Sequence, residues 1–353
     1  MVKQSAQLLA EITQLEKKVA AVSLPEELRA KVKLMIQRLT RLARFGTYSS
    51  EYERVTYYVD WLTRLPWGKT SQDVLDLGYA RKVLDKNHFG LDQVKERILE
   101  YIAVLKLQKA HQAEGQARSP ILCFIGLVGT GKTTIAASVA QALGRKLARI
   151  PFGGLADPLD LRGQSKFQPD AEPGLIIKAL ARVGTKNPVI LLDEIDRIGD
   201  QTRGNIMGVL IELLDPEQNR AFRDHFIDFP FDLSGVLFVA TANNATNISV
   251  AVMDRLEVMQ MPSYTDEEKI TIAQEYLLPR VLANIGLTPA AIKIDGAVWP
   301  QIVRPLGYDA GVRTLERTIE GIARKVAKMI VEGGARSFCL TRENIKEFLP
   351  TWY

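Results

Sequence analysis

The sequence predicts an α/β fold in which a parallel sheet carries helices on both faces, with a helical N-terminal segment before it and a small all-α lid domain after it. Three observations support this assignment. Helical periodicity dominates up to about residue 68, apolar β-prone runs alternate with helical segments from about 70 to 260, and the pattern after Pro262 is helical. We therefore expect domains at residues 1–68, 69–261 and 262–353.

The N-terminal segment begins with one narrow apolar helical stripe. Its positions follow a four-three spacing: Leu8, Ile12, Leu15, Val19 and Val22. So short a seam fits a brief coiled coil and packing against a neighbouring helix equally well. Breaks at 23–25, 47–50 and 66–68 then predict two further helices, the second of them over 51–65.

Four short apolar runs are predicted as strands of the central sheet. They lie at 121–125, 147–151, 189–192 and 236–241. Helical segments separate them, and this alternation is typical of a parallel sheet covered by helices. The lid is expected to begin at Thr265, because Thr265 and Glu268 have the spacing of a capping box.

The strongest functional motif follows the first of these strands. It matches the phosphate-binding pattern G-x-x-x-x-G-K-[ST] and consists of Gly126, Leu127, Val128, Gly129, Thr130, Gly131, Lys132 and Thr133, with Thr134 opening the next helix. Glycines allow the backbone to curl around a polyphosphate, and the helix N-terminus favours an anion. Lys132 is expected to neutralise the β and γ phosphates, and Thr133 to hold Mg²⁺.

A second motif lies about 60 residues after this loop, where a buried strand ends in Asp193 and Glu194. An apolar strand that delivers two adjacent carboxylates is the other half of an ATPase site. We expect Asp193 in the Mg²⁺ shell and Glu194 as the base that polarises the attacking water. The next strand ends near Asn243, which could orient that water if the two strands are neighbours.

Together with these motifs, Asn243 resembles the sensor-1 residue of AAA+ ATPases. Longer strings are similar to the ATPase region of Lon proteases and occur in the same order. They are YYVDWLTRLPW (57–67), HFGLDQVKERI (88–98), GG (153–154) with LRG (161–163), LLDPEQN (213–219) and DRLEVM (254–259). Because they span nearly the whole chain, the chain is identified as a member of this family.

The resemblance implies roles for further residues. Arg255 corresponds to the arginine finger, which reaches the γ phosphate of a neighbouring subunit, and Arg313 corresponds to sensor 2 on the lid. The alternative for each is a surface arginine in a helix ion pair. The stretch His88, Phe89 and Gly90 resembles the part that lines the adenine pocket, with ordinary packing as its alternative.

The sequence departs from the family at the substrate-gripping pore loop, residues 164–174. Family members carry an aromatic residue at the position of Gln168, whereas the nearest ring here is Phe167, one residue earlier. Phe167 can serve as the gripping group if the loop shifts by one residue. Pro169 and Asp170 are expected to make the loop stiffer and more acidic. His111 and His225 have no functional support and are expected at the surface or in packing.

The chain is also expected to lack the peptidase domain of the family, because it stops soon after the last lid element at 344–349. The resemblance thus implies an ATP- and Mg²⁺-dependent motor, active as a hexameric ring on unfolded or damaged proteins, without peptidase activity of its own. The alternative is a non-proteolytic chaperone-like or DNA- or protein-binding nucleotide switch. Weak DNA binding stays open.

Composition agrees with an ordinary globular protein. The 46 basic and 41 acidic residues leave a net charge of only +5, which solvated helix faces explain more simply than a dedicated nucleic-acid surface. Apolar runs are far shorter than the roughly 18 residues of a membrane span. The two cysteines, Cys123 and Cys339, form no metal-type cluster. We expect a cytoplasmic location without membrane partners.

Overall fold

A computed structural model describes residues 2–44, 50–110, 121–304, 309–333 and 335–350. Its α-helices are α1 (Val2–Ala20), α2 (Glu26–Arg44), α3 (Ser50–Arg64), α4 (Leu77–Asn87), α5 (Asp92–Ala110), α6 (Lys132–Ala142), α7 (Leu159–Arg162), α8 (Leu175–Val183), α9 (Arg203–Leu214), α10 (Val250–Met253), α11 (Asp266–Ile272), α12 (Leu278–Ile285), α13 (Trp299–Val303), α14 (Arg313–Val331) and α15 (Ile345–Phe348). A π-helical turn, Ala273–Leu277, joins α11 to α12.

The strands are β1 (Ile121–Ile125), β2 (Leu147–Pro151), β3 (Val189–Asp193), β4 (Phe222–Arg223), β5 (Pro230–Phe231), β6 (Leu237–Ala242), β7 (Leu256–Gln260), β8 (Ile292–Ile294) and β9 (Phe338–Leu340). Five of them form the central parallel sheet in the order β2-β3-β6-β1-β7. Strands β3 and β6 are buried along their whole length, as expected of a sheet covered on both faces. The predicted α/β fold is confirmed, and β7 is a fifth strand that the sequence did not indicate.

The chain divides into two compact units. One contains residues 1–75, 104–123 and 140–258, and the other contains residues 76–103, 124–139 and 259–353. The first unit therefore holds the N-terminal helices and β2, β3 and β6, whereas the second holds the phosphate-loop segment and the lid. The domain boundaries near residues 68 and 262 remain predictions.

The N-terminal stripe is a packing surface between helices. Leu8, Ile12, Leu15 and Val19 are all buried, and α1 packs against both α2 and α3. Of the two interpretations of the seam, the structure favours packing against neighbouring helices. The hydroxyl of Tyr58 on α3 donates a 2.8 Å hydrogen bond to the carbonyl of Ile227. This bond links the N-terminal helices to the segment between β4 and β5 within the first compact unit. The predicted break at 47–50 lies mostly outside the described residues.

The first helix after Pro262 begins as predicted. Thr265 accepts a hydrogen bond from the Glu268 N–H, and the Glu268 carboxylate accepts one from the Thr265 N–H, which completes a capping box. The lid is not wholly helical, because β8 and β9 form a small parallel pair. Three-residue strands are too short to show the period-two pattern that identifies a strand in a sequence. Within the described residues, no helix is long and apolar enough to cross a bilayer.

Candidate active site

The predicted phosphate loop joins β1 to α6. Gly129 and Gly131 have φ angles of 82° and 93°, in the left-handed region that favours glycine. A side chain at Gly126 would meet the Met261 carbonyl at 2.7 Å, so this position also requires glycine. A loop of this shape that leads directly into a helix N-terminus is suited to hold an anion.

Polar side chains of the loop bond back to its own backbone. The ammonium of Lys132 donates to the carbonyls of Gly126 and Leu127 at 2.7 and 2.9 Å, and its side chain is buried. Thr130 donates to the Leu127 carbonyl, and Thr134 donates to the Gly131 carbonyl. The loop is therefore held in shape from within, and the side chain of Thr133 at the start of α6 is exposed.

The segment leading into α14 lies directly against this loop. The N–H of Val312 donates to the carbonyl of Gly129 at 3.0 Å, and a side chain at Gly129 would meet Arg313 at 3.1 Å. A side chain at Gly311 would clash with the Gly129 backbone. The structure therefore places Arg313, the predicted sensor-2 residue, beside the phosphate loop. Gly311 was not singled out in the sequence, since its need for close approach is a tertiary property.

Tyr264 is a second residue at the loop that the sequence did not reveal. Its hydroxyl donates to the carbonyl of Thr130 at 3.2 Å, and its N–H donates to the carbonyl of Ala310. Burial, with a smaller effect of the Glu268 carboxylate, raises the pKa of Tyr264 to about 12. The phenol therefore stays protonated and keeps its hydrogen bond to the loop at neutral pH.

The predicted adenine-pocket stretch packs on α6, the helix that follows the loop. Nε2 of His88 lies 2.8 Å from the hydroxyl of Ser138, and His88 is buried. Burial lowers the pKa of His88 to about 4, and the Lys95 ammonium acts in the same direction. Phe89 is half-buried, and Gly90 has a φ angle of 59°. A neutral imidazole with an apolar neighbour suits a purine pocket, although packing explains it as well.

Asp193 ends β3 with a nearly fully buried carboxylate. Its Oδ1 accepts a 2.5 Å hydrogen bond from the Thr241 hydroxyl, and its Oδ2 accepts one of 2.6 Å from Nε of Arg149 on β2. Parallel pairing of β2 with β3 and of β3 with β6 brings these side chains together. Neither Arg149 nor Thr241 was singled out in the sequence, where a lone charged residue in a strand and a strand Thr carry little signal.

Glu194 follows Asp193 in an uncommon backbone conformation. Its φ angle is 58°, and its N–H donates a 2.9 Å hydrogen bond to the same Thr241 hydroxyl. A left-handed non-glycine residue costs about 1–3 kcal/mol and persists only where its surroundings hold it. The carboxylate is one-third exposed and lies 3.4 Å from the guanidinium of Arg197. Asn243, just beyond the end of β6, is half-buried.

Arg255 follows the short helix α10 and is held by hydrogen bonds within the chain. Its Nη1 donates to the carbonyl of Ala251 at 2.8 Å, and its Nη2 donates to Oδ2 of Asp215 at 3.2 Å. The Asp215 carboxylate also accepts a hydrogen bond from the backbone N–H of Glu217. This hydrogen bond is the main cause of the lowered pKa of Asp215, and the one from Arg255 acts in the same direction. Asp215 belongs to the string LLDPEQN, whose role the sequence did not reveal.

The predicted pore-loop residues Phe167 and Gln168 are both exposed, and 76% of Phe167 is accessible. The base of the loop is held by Lys166, whose ammonium pairs with Asp228 at 3.1 Å and lies 4.8 Å from the ring centre of Tyr58. His225 is exposed, as expected, and His111 lies outside the described residues.

The predicted residues are divided between the two compact units. The phosphate loop, the His88 stretch and Arg313 belong to one unit, and in it Arg313 lies against the loop. The Asp193–Glu194 pair, Asn243, Arg255 and the predicted pore loop belong to the other unit.

The predicted magnesium ligands have suitable donor atoms. The carboxylate of Asp193, in one unit, and the hydroxyl of Thr133, in the other, are each a hard oxygen donor of the kind that Mg²⁺ prefers. Across the described ranges, no cluster of three or more His, Cys, Asp or Glu side chains could hold a metal by itself. Mg²⁺ that binds with a nucleotide needs only one or two protein ligands, because phosphates and water complete its shell.

Two family models match successive parts of this chain. The family model "ATPase family associated with various cellular activities (AAA)" matches residues 122–264, and the model "Lon protease AAA+ ATPase lid domain" matches residues 283–338.

Curated relatives agree with these models. Lon protease 2 of Herpetosiphon aurantiacus is 43% identical over 97% of this chain and 41% of its own length. Lon protease of Syntrophus aciditrophicus is 44% identical over 96% of this chain and 42% of its own length. Lon protease 2 of Thermus thermophilus is 41% identical with the same coverage of both chains. The chain therefore spans about two fifths of the length of these relatives.

Proposed function

The chain belongs to the Lon family of AAA+ ATPases, and from this premise we propose that it couples ATP hydrolysis in a ring to the unfolding and translocation of polypeptides. One observation supports the coupling of ATP hydrolysis to polypeptide movement. An exposed aromatic ring, Phe167, lies in the same compact unit as Glu194 and Arg255, the predicted residues of hydrolysis. Because the ring and these residues share one unit, we expect a change around Glu194 or Arg255 to be passed on to Phe167.

The chemistry assigned to the chain is attack of water on the γ phosphate. Glu194 accepts a proton from the attacking water, and Asn243 orients that water. Lys132 neutralises phosphate charge from within the loop, and Arg313 reads the γ phosphate from the lid. The hydrogen bond from the Glu194 N–H to Thr241 supports this role, because it fixes the backbone from which the carboxylate projects.

Thr133 and Asp193 are the residues proposed to hold Mg²⁺, which when bound neutralises developing charge on the phosphates. In the structure, the carboxylate of Asp193 already forms an ion pair with the guanidinium of Arg149. A divalent cation would be attracted to the same negative charge.

The ring follows from the proposed role of Arg255 in a neighbouring active site. A guanidinium is suited to this role because its five donors stay charged at all physiological pH values. Two of its nitrogens are engaged by Ala251 and Asp215, which leaves further N–H groups for a phosphate. We propose a homohexamer as the ring. We also propose a cytoplasmic location, which the two free cysteines, Cys123 and Cys339, support.

Steady-state ATP hydrolysis at several protein concentrations tests the motor, with solution mass measured in parallel and with or without unfolded casein. We expect hydrolysis to rise as rings form and again when casein is added. A persistent monomer that binds nucleotide without stimulation by casein would contradict the motor. Stimulation by DNA instead of casein would favour the nucleotide-switch alternative.

A further inference from the structure

A groove of about 400 Å³ opens between the N-terminal helices and the pore loop, within one compact unit. Helix α2 lines it with the i, i+3, i+4, i+7 stripe that begins at Lys31, and α3 lines it with the same stripe beginning at Glu51. Lys166, Phe167 and Asp228 close the third side. We call this feature the α2–α3 groove. Its volume is in the range of about 300–1,000 Å³ that is typical of ligand pockets.

The groove has an apolar floor and two exposed apolar walls. Val55 and Tyr58 form the floor and are 6% and 2% accessible. Leu34 on α2 is 59% accessible, and Phe167 on the pore loop is 76% accessible. Two large apolar side chains left in water along one groove favour an apolar ligand group beside them.

The rim of the groove is basic. Lys31 and Lys166 share the single carboxylate of Asp228, at 3.4 and 3.1 Å. Arg38 and Arg54 are exposed, and neither has an ion-pair partner among the described residues. With Glu51 as the only other acidic lining residue, the groove carries four basic groups against two acidic ones. A ligand with negative charge beside its apolar group would complement both features.

We propose that the α2–α3 groove binds an extended segment of polypeptide in which a large apolar side chain lies next to carboxylates. This inference rests on the proposed function and adds a substrate preference to it. The apolar side chain would contact Leu34 and Phe167, and the carboxylates would pair with Arg38 and Arg54. A nucleic acid fits less well, because the floor residues Val55 and Tyr58 and the wall residue Leu34 are apolar and offer few hydrogen-bonding groups to the edges of its bases.

Fluorescence anisotropy with two labelled, unstructured peptides tests the proposal on the full chain. Both peptides carry the same leucine and phenylalanine residues, which are flanked by aspartates in one and by lysines in the other. We expect the acidic peptide to bind more tightly. The double variant Arg38→Glu/Arg54→Glu should raise its Kd about tenfold and leave the basic peptide unaffected or more tightly bound. Leu34→Ser should weaken both peptides.

Lys33→Glu/Arg41→Glu is the matched control. It reverses two exposed charges on α2 outside the groove and changes net charge by the same amount. Equal loss of binding in this control would overturn the proposal, since net charge alone would then explain the effect. So would equal affinity for the two peptides, or displacement of the acidic peptide by single-stranded DNA.

Different results would contradict the groove and the proposed function. If casein stimulates hydrolysis but the groove variants leave peptide binding unchanged, only the groove is wrong. If neither peptide binds and casein has no effect on the wild-type ring, the proposed function itself is wrong. Basal hydrolysis should be unchanged in the groove variants.

Discussion

Arg149 and Asp193 form a charged pair at the carboxyl end of the central sheet, where Nε and Nη2 of Arg149 each lie 2.6 Å from Oδ2 of Asp193. The hydroxyl of Thr241 donates a hydrogen bond to the other carboxylate oxygen, Oδ1. Both oxygens of the carboxylate proposed to face Mg²⁺ therefore have partners within the chain. A bound cation must compete with Arg149 for Oδ2, because both are attracted to the same negative charge.

Arg149→Met should lower the Mg²⁺ concentration needed for half-maximal nucleotide binding. The Arg149 side chain is 59% exposed, so its ion pair is worth at most about 1 kcal/mol, which corresponds to a shift of up to about fivefold. Titration of Mg²⁺ with a fluorescent ADP analogue measures this directly. Arg182→Met removes an exposed arginine from α8 and should shift nothing. An unchanged midpoint in Arg149→Met would show that the pair does not compete with the metal.

Glu194→Gln should keep nucleotide binding and lose turnover by about 10²–10⁴-fold, the usual contribution of a general base. The amide has the shape of the carboxylate but cannot accept the proton. ATP binding and steady-state hydrolysis should be measured on the same preparation. Glu100→Gln, on the exposed face of α5, is the control. Turnover near the wild-type rate in Glu194→Gln would eliminate this residue as the base.

Arg255→Ala should abolish hydrolysis in the ring, by about 10³-fold or more if it acts as an arginine finger. Mixing it with Glu194→Gln subunits separates action within a subunit from action between subunits. If the finger works in trans, a site with Glu194 from one subunit and Arg255 from its neighbour is complete. The mixture should then recover activity that neither variant has alone. Complete inactivity of mixed rings, verified by mass, would place Arg255 in its own site.

Asp215→Asn should lower kcat several-fold with little change in KM for ATP. Asp215 holds the guanidinium of Arg255 through Oδ2, and its ionised form is favoured by the Glu217 N–H and by Arg255. If Asp215 acts by positioning Arg255, Asp215→Asn should have no further effect in an Arg255→Ala background. Additive losses in the double variant would instead indicate a general structural role for the turn.

His88 should make the protein less stable in mild acid. Its pKa falls from an ordinary 6.5 to about 4 on folding, so the unfolded chain binds more protons between these values. The contribution of His88 to the free energy of unfolding is therefore fully present above pH 6.5 and is lost as the pH falls toward 4. This corresponds to a total of about 3 kcal/mol.

Urea unfolding as a function of pH checks this linkage. His88→Gln should show a flatter dependence of the free energy of unfolding between pH 6.5 and 4, whatever its absolute stability. His225→Gln changes an exposed histidine and should retain the wild-type slope. Equal slopes for wild type and His88→Gln would mean that burial of this imidazole does not control acid stability.

Some strands and helices could be predicted from the sequence because the pattern that identifies them lies in consecutive residues. Runs such as 189–192 are buried on both sides and read as continuous apolar stretches. β7 was missed because it is only partly buried and contains Glu257, which interrupts the apolar pattern. β8 and β9 were missed because each has three residues. Length and continuity of the apolar pattern therefore decided which elements could be recognised.

The sequence by itself determined the chemistry that neighbouring residues share: the phosphate loop from Gly126 to Thr133, the Asp193–Glu194 pair and the family to which the chain belongs. Tertiary structure alone decided that Arg149 and Thr241 hold Asp193 from 44 and 48 positions away, and that Asp215 holds Arg255 from 40 positions away. The reason is physical. A loop that binds phosphate needs consecutive residues in one conformation, whereas the partner of a side chain depends on strand pairing between distant segments, which leaves no periodic trace in the sequence.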